Sequence, residues 1–302
     1  MPTLQCPELF HSAQALRLAP ILADAYREEL VARDLLESAI AGSSDPRIHG
    51  GPSPEETITH FSFRFPNSAS RVVCVCVDPK QCFASLPAQI LQSFSSHKIA
   101  VLDAPCGAGA SLLSLLSVIS SAREQKQIPC LPLTVGVVAA DISPTALDIY
   151  SSLVRRIEPH LSAAGIFVEL STYPWDAARA NQTSGLCDAW FSIHPDANEY
   201  FVLIGNLSGV ANSLFEALER SFVHITERIS NRPSTVLWLE PAVKTTLFER
   251  LFGMFSKAPW LRQPQNSPPN PQCKFTWWQP IQGKELPGKV TVHRFERFEG
   301  GS

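Results

Sequence analysis

Val101-Leu-Asp-Ala-Pro-Cys-Gly-Ala-Gly-Ala110 runs from an apolar pair through a carboxylate into a string of small residues. Its first two residues end the apolar stretch Ile99–Leu102, and it precedes Ser111-Leu-Leu-Ser-Leu-Leu-Ser-Val-Ile119, whose apolar side suits packing on a sheet. Strand, tight turn and helix are therefore expected in that order. In open α/β sheets, ligands collect in the crevice beyond the carboxyl ends of the strands, where small residues let backbone and helix N-terminus approach closely. Gly107 and Gly109 supply that clearance. A dinucleotide fingerprint G-x-G-x-x-G would need glycine at position 112, which is Leu112, and this argues against a nicotinamide or flavin dinucleotide.

Outward from this stretch the same alternation continues. Strands are predicted at Ile99–Leu102, Leu133–Ala139, Ile166–Leu170, Tyr200–Ile204 and Thr235–Leu239, separated by amphipathic helical segments, the pattern of a parallel sheet covered on both faces. Ser143-Pro144 combines an N-cap with proline at the first helical position. Phe215, Leu218, Phe222, Ile225 and Ile229 form one helical stripe. The last third changes character: a Pro/Asn/Gln-rich loop at 264–272 precedes two strands, Cys273–Gln279 and Lys289–Phe295, expected to be antiparallel. Upstream, residues 9–42 predict two helices, with Pro20 breaking or starting one, and 42–54 is dense in turn formers. His60-Phe-Ser-Phe-Arg-Phe65 alternates and Arg71-Val-Val-Cys-Val-Cys-Val77 follows a short polar turn, which predicts a β-hairpin. The expected division is an N-terminal extension over 1–94 and a main domain over 95–302.

With 302 residues, 45% hydrophobic and 18% charged, the chain can bury a large core and reads as globular. Its net charge of −3, without a basic run, gives no sequence-wide attraction to phosphate backbones. Eight cysteines at 6, 74, 76, 82, 106, 130, 187 and 273 include no CxxC pair or Cys/His ligand spacing, so no metal is expected. Cys74 and Cys76, at a period of two, would face one side of a strand as buried thiols. No signal-like start and no apolar run of ~20 residues is present, and a cytoplasmic, reducing location is expected.

Asp103-Ala-Pro-Cys-Gly-Ala-Gly109 resembles the first motif, D-x-G-x-G-x-G, of class I, Rossmann-like S-adenosylmethionine-dependent methyltransferases, with Pro105 in place of the first glycine. The resemblance covers about residues 95–297. It implies a three-layer α/β fold, a mostly parallel sheet with an antiparallel C-terminal strand, and S-adenosyl-L-methionine as cofactor. It also implies a cofactor site made by Asp103, Pro105, Gly107, Gly109, Asp141, Ile142, Trp175, Asp176 and Asn206. Asp141, 38 residues after Asp103, stands where the family places the acid that accepts from the ribose hydroxyls, and residues 124–132 read as an insertion lengthening that spacing. Asp176, in Tyr173-Pro-Trp-Asp176, stands where an acid meets the adenine amino group, with Trp175 able to lie against the adenine face. Gly205-Asn-Leu-Ser-Gly209 closes the fourth strand at the edge facing the transferred methyl, where Asn206 is the candidate catalytic residue and Ser208 and Gly209 shape the turn. Leu239-Glu240-Pro241 is similar to a turn in methyltransferase-like ribosome-assembly proteins, whose cysteine-rich metal motif is missing here.

The leading expectation is methyl transfer by in-line displacement to an unidentified acceptor; the alternative is a catalytically inactive assembly or interaction factor on the same fold. A nicotinamide-dependent oxidoreductase ranks third. The charge favours a small molecule or protein as acceptor and leaves RNA open. No membrane association is expected, and the sequence names neither the general base nor the oligomeric state. Trp277, Trp278, Phe61, Phe63 and Phe65 read as strand core before they read as a substrate platform.

Overall fold

Four of the five central strands are apolar on both sides, and the computed structural model shows why. It describes residues 4–43, 45, 48, 50–95, 97–207, 214–241, 246–264 and 271–297, without the side chains of 246–251. The central parallel strands are β2 (Lys98–Asp103), β3 (Leu133–Asp141), β4 (Ile166–Pro174), β5 (Glu199–Gly205) and β6 (Ser234–Glu240). Within β2, Ile99 and Val101 enter one hydrophobic core while Ala100 and Leu102 enter another. A strand buried on both faces has no polar side to show, so it reads as a continuous apolar run.

The edge beyond β6 is antiparallel: β9 (Lys284–Arg297) pairs with β6, with β8 (Gln272–Gln279) and with the short β7 (Leu261–Arg262). The two-residue β1 (Ala15–Leu16) closes that edge, parallel to β8. The order is β1-β8-β9-β6-β5-β2-β3-β4, with β7 paired to β9. This mostly parallel sheet between two helical layers is a three-layer, Rossmann-like α/β architecture, and the expected antiparallel C-terminal strands are in place. Chain reversal between β2–β3 on one side and β2–β5 on the other puts a topological switch point at the carboxyl end of β2.

One helical layer consists of α1 (Pro20–Ala32), α3 (Pro54–Val77), α5 (Ala110–Glu124) and α6 (Pro144–Ala163), with the short α2 (Leu36–Ala41) and α4 (Leu86–Ser93) beside it. The other holds α7 (Thr183–Ile193), α8 (Phe215–Arg228) and α9 (Thr246–Lys257). Pro20 and Pro144 each begin a helix, and Ser143 Oγ accepts from the Ala146 N–H at 3.3 Å as an N-cap. None of the described helices is long and apolar enough to cross a membrane.

The expected hairpin is absent: residues 54–77 form a single helix, α3. The alternation in His60–Phe65 is incidental to a helical spacing in which Phe61, Phe65, Ala69, Val72 and Cys76 are buried. Residues Val72 to Val77 are buried all round because this end of α3 packs among α5, α4, β8 and β9. A helical turn enclosed on every side carries the same β-branched apolar run as a buried strand, and periodicity cannot separate them. Cys74 and Cys76 are buried free thiols, but on a helix they point in different directions. Ser53 supplies the start signal, its Oγ accepting from the Glu56 N–H at 3.2 Å, with Pro54 at the first helical position. Trp277 is buried, whereas Trp278 stacks on His11 with ring centroids 3.7 Å apart.

Candidate functional site

The carboxyl ends of β2, β3, β4 and β5 open into a cavity of about 780 Å³, roofed by one face of α3. The β2–α5 turn lies at its base. Gly107 has φ +53°, and a Cβ built on it would meet nothing within 4 Å, so its missing side chain leaves open space on the cavity side. Gly109, with φ +81°, is different: a Cβ there would stand 2.6 Å from the Tyr150 ring. Its role is close helix packing, and it does not line the cavity. Pro105 does line it, following a cis peptide bond from Ala104.

Asp103 lies behind the turn. It is buried, absent from the cavity wall, and accepts a hydrogen bond from the Tyr150 hydroxyl at 3.0 Å. Burial drives its carboxyl well above the usual carboxylate range, against the Tyr150 hydrogen bond and with the charge of Asp141 adding to the rise. The motif's first acid therefore fastens α6 to the turn and does not face a ligand here.

Asp141 does face the cavity. Its Oδ2 accepts from the Gly107 N–H at 2.8 Å and its Oδ1 from the Ser143 N–H at 2.9 Å. Burial pushes its pKa up, opposed by these backbone donors and that of Ile142. Each carboxylate oxygen has a second lone pair available for an incoming hydroxyl. The neighbouring Ile142 is 43% exposed and lines the same cavity, an apolar side chain left uncovered beside a fixed acceptor.

At the end of β4, the Trp175 N–H donates to the Asp141 carbonyl at 2.9 Å. Its indole touches the cavity but is almost wholly buried, donating from Nε1 to Thr183 Oγ1 at 3.3 Å and meeting Phe222 edge-on. This is a wall residue packed into the core. Asp176 lines the cavity, with Oδ1 accepting from the Ala178 N–H at 2.9 Å and Oδ2 3.1 Å from Arg179 Nε.

Asn206 closes β5 with φ +61°, its N–H donating to the Leu239 carbonyl at 3.0 Å. Its Oδ1 accepts from Arg71 Nη1. Glu240 holds the same corner, Oε1 accepting from the Leu207 N–H at 2.7 Å and from the Trp238 indole at 2.9 Å. Ser208 and Gly209 lie outside the described residues. His194 and Asp196 belong to the opposite, amino end of β5, where Asp196 pairs with Lys98 at 2.7 Å.

The residues that the sequence reading missed come from α3. Thr57, His60, Arg64, Ser68 and Arg71 all line the cavity, and Thr57 Oγ1 lies 2.6 Å from Ser143 Oγ, joining α3 to the end of β3. Their spacing of three and four residues was the available signal, a polar stripe visible only once the segment is read as a helix.

No protein-family model and no curated protein matches this chain. Among solved structures, one similar to it is described as "Conversion of a Disulfide Bond into a Thioacetal Group during Echinomycin Biosynthesis", with 12% identity, 72% of this chain and 83% of that chain covered, and a TM-score of 0.38.

Proposed function

We propose that this protein binds S-adenosyl-L-methionine and transfers its methyl group to an acceptor held beneath α3. The observation carrying this reading is the convergence of an outward-facing Asp141 carboxylate, the open space at Gly107 and the uncovered Ile142 at the carboxyl edge of neighbouring parallel strands. These features suit the cofactor. Asp141 would take the ribose diol, Ile142 would lie against the adenine, Asp176 would receive the adenine amino group, and the turn at Pro105 and Gly107 would pass beside the methionine portion. The cofactor supplies an electrophilic methyl on a sulfonium.

The protein's part is to hold the acceptor atom in line with that methyl, which can supply much of the rate. Asn206 sits at the edge where the acceptor would stand. With its carbonyl oxygen held by Arg71, it keeps an NH2 donor, which suits orienting a lone pair and cannot remove a proton. Asn206 is thus assigned a positioning role. The first ninety-four residues, through α3, supply the acceptor side of the cavity.

Titration calorimetry with S-adenosylhomocysteine tests the reading. Wild type is expected to bind, and Asp141→Ala to bind at least tenfold more weakly while retaining a cooperative thermal transition. No binding to wild type would remove the proposal. Transfer of labelled methyl to any acceptor pool separates an enzyme from a factor that only carries the fold.

A further inference from the structure

Arg64 and Arg71 lie two turns apart on α3 and both line the cavity. Their hydrogen-bond partners among the described residues are neutral oxygens. Arg64 Nη2 donates to the Asp45 carbonyl at 2.6 Å. Arg71 donates from Nε to the Lys289 carbonyl at 3.2 Å and from Nη1 to Asn206 Oδ1 and, at 3.5 Å, to Ser68 Oγ.

A guanidinium has five N–H donors, so both retain donors after these contacts. The charge of Glu240 offsets part of that of Arg71, while its Oε1 also accepts from the Leu207 N–H and the Trp238 indole. Burial and the nearby charge of Arg64 lower the Arg71 pKa to about 10, which leaves it cationic at neutral pH. Two like charges face one partly enclosed space, an arrangement that an anion between them would relieve.

The cavity is also polarised along its length. Its acids, Asp141 and Asp176, stand at the ends of β3 and β4, whereas the arginines stand across from them on α3, with Arg71 reaching the β5 corner at Asn206. Phe61, Phe65 and Leu218 supply apolar wall to the same cavity.

We propose that the acceptor is a small molecule carrying a carboxylate or phosphate group on an apolar body, with Arg64 and Arg71 binding the anionic group and so setting which atom meets the methyl. The assignment to an acceptor rests on the methyl-transfer reading; the anion site itself does not. Guanidinium forks match the geometry of both anions.

Benzoate and phenyl phosphate serve as probes, with benzyl alcohol as the uncharged counterpart, in ligand-observed NMR titrations with and without saturating S-adenosylhomocysteine. At least one anion is expected to bind five or more times tighter than benzyl alcohol, to bind alongside S-adenosylhomocysteine, and to weaken at least fivefold in Arg71→Gln and in Arg64→Gln. The tighter anion identifies the group. If Arg71→Gln does not fold, Arg64→Gln carries the test, since it gives up one carbonyl contact. Equal binding of the alcohol, or anion binding unchanged in a folded arginine variant, would overturn the proposal. Competition with S-adenosylhomocysteine would also overturn it, by assigning the arginines to the methionine carboxylate. Arginine-dependent anion binding in a protein that fails to bind S-adenosylhomocysteine would retain the anion site and reject the cofactor reading.

Discussion

Gly107 and Gly109 stand two residues apart in one turn, both with positive φ, yet different constraints hold them. At Gly107 an added methyl meets open space, so Gly107→Ala is expected to cost only the left-handed backbone penalty, about 1–2 kcal/mol. It would also place a methyl where S-adenosylhomocysteine is expected to lie, and weaken its binding. At Gly109 the methyl would enter the ring of Tyr150, a buried residue whose hydroxyl is held by Asp103. Gly109→Ala should therefore lose a further ~1–3 kcal/mol through overpacking. Urea unfolding of the two variants checks this ordering; equal losses would contradict it. The motif pattern alone treats these glycines, and Asp103 with Asp141, as equivalents. Distances to Tyr150 divide each pair into one residue facing the cavity and one holding the turn from behind.

At the scale of the element, α3 lines more of the cavity than any other helix. Its start was legible in Ser53-Pro54 and two following acids, Glu55 and Glu56, a pattern that suits a helix N-terminus. The strand reading of Phe-Ser-Phe-Arg-Phe and Val-Val-Cys-Val-Cys-Val overrode that signal because the helix is half-buried at one end and enclosed at the other. Ser53→Ala removes the acceptor for the Glu56 N–H and is expected to lower stability by about 1 kcal/mol, whereas Ser53→Gly should cost a few tenths. Chemical denaturation measures both, and an unchanged midpoint for Ser53→Ala would show that the cap contributes nothing. Since Thr57 joins α3 to Ser143 next to Asp141, loosening the cap should also weaken S-adenosylhomocysteine binding.

For the whole molecule, acid sensitivity follows from burial of titratable groups in and around the sheet. His293, in β9 opposite Trp238 of β6, has its pKa lowered by burial to about 4. Its unfolded value is about 6.5. Between these values the unfolded chain binds the proton and the folded chain does not, so stability rises with pH through the window and is lost as pH falls from about 6.5 to 4. The gap corresponds to ~3 kcal/mol at most. Asp103 and Asp141 act in the opposite sense, because their raised values let the folded state take up protons first on acidification. Unfolding free energies of wild type and His293→Gln at pH 7, 5.5 and 4 isolate the histidine by difference. The variant should show a shallower acid loss, and parallel curves would refute the assignment.

The sequence by itself determined the parallel sheet, its five central strands, the antiparallel C-terminal pair and the strand-end positions of Asp141, Asp176 and Asn206. These are legible because strand–turn–helix punctuation and short continuous apolar runs are local properties of the chain. Only the tertiary structure decided that residues 54–77 are a helix, that Asp103 and Gly109 turn toward Tyr150, and that two arginines from α3 share a cavity with the carboxyl ends of the strands. Those facts depend on which surfaces enclose a segment from outside it, and a buried apolar run has the same composition whether its backbone bonds to itself or to a neighbour.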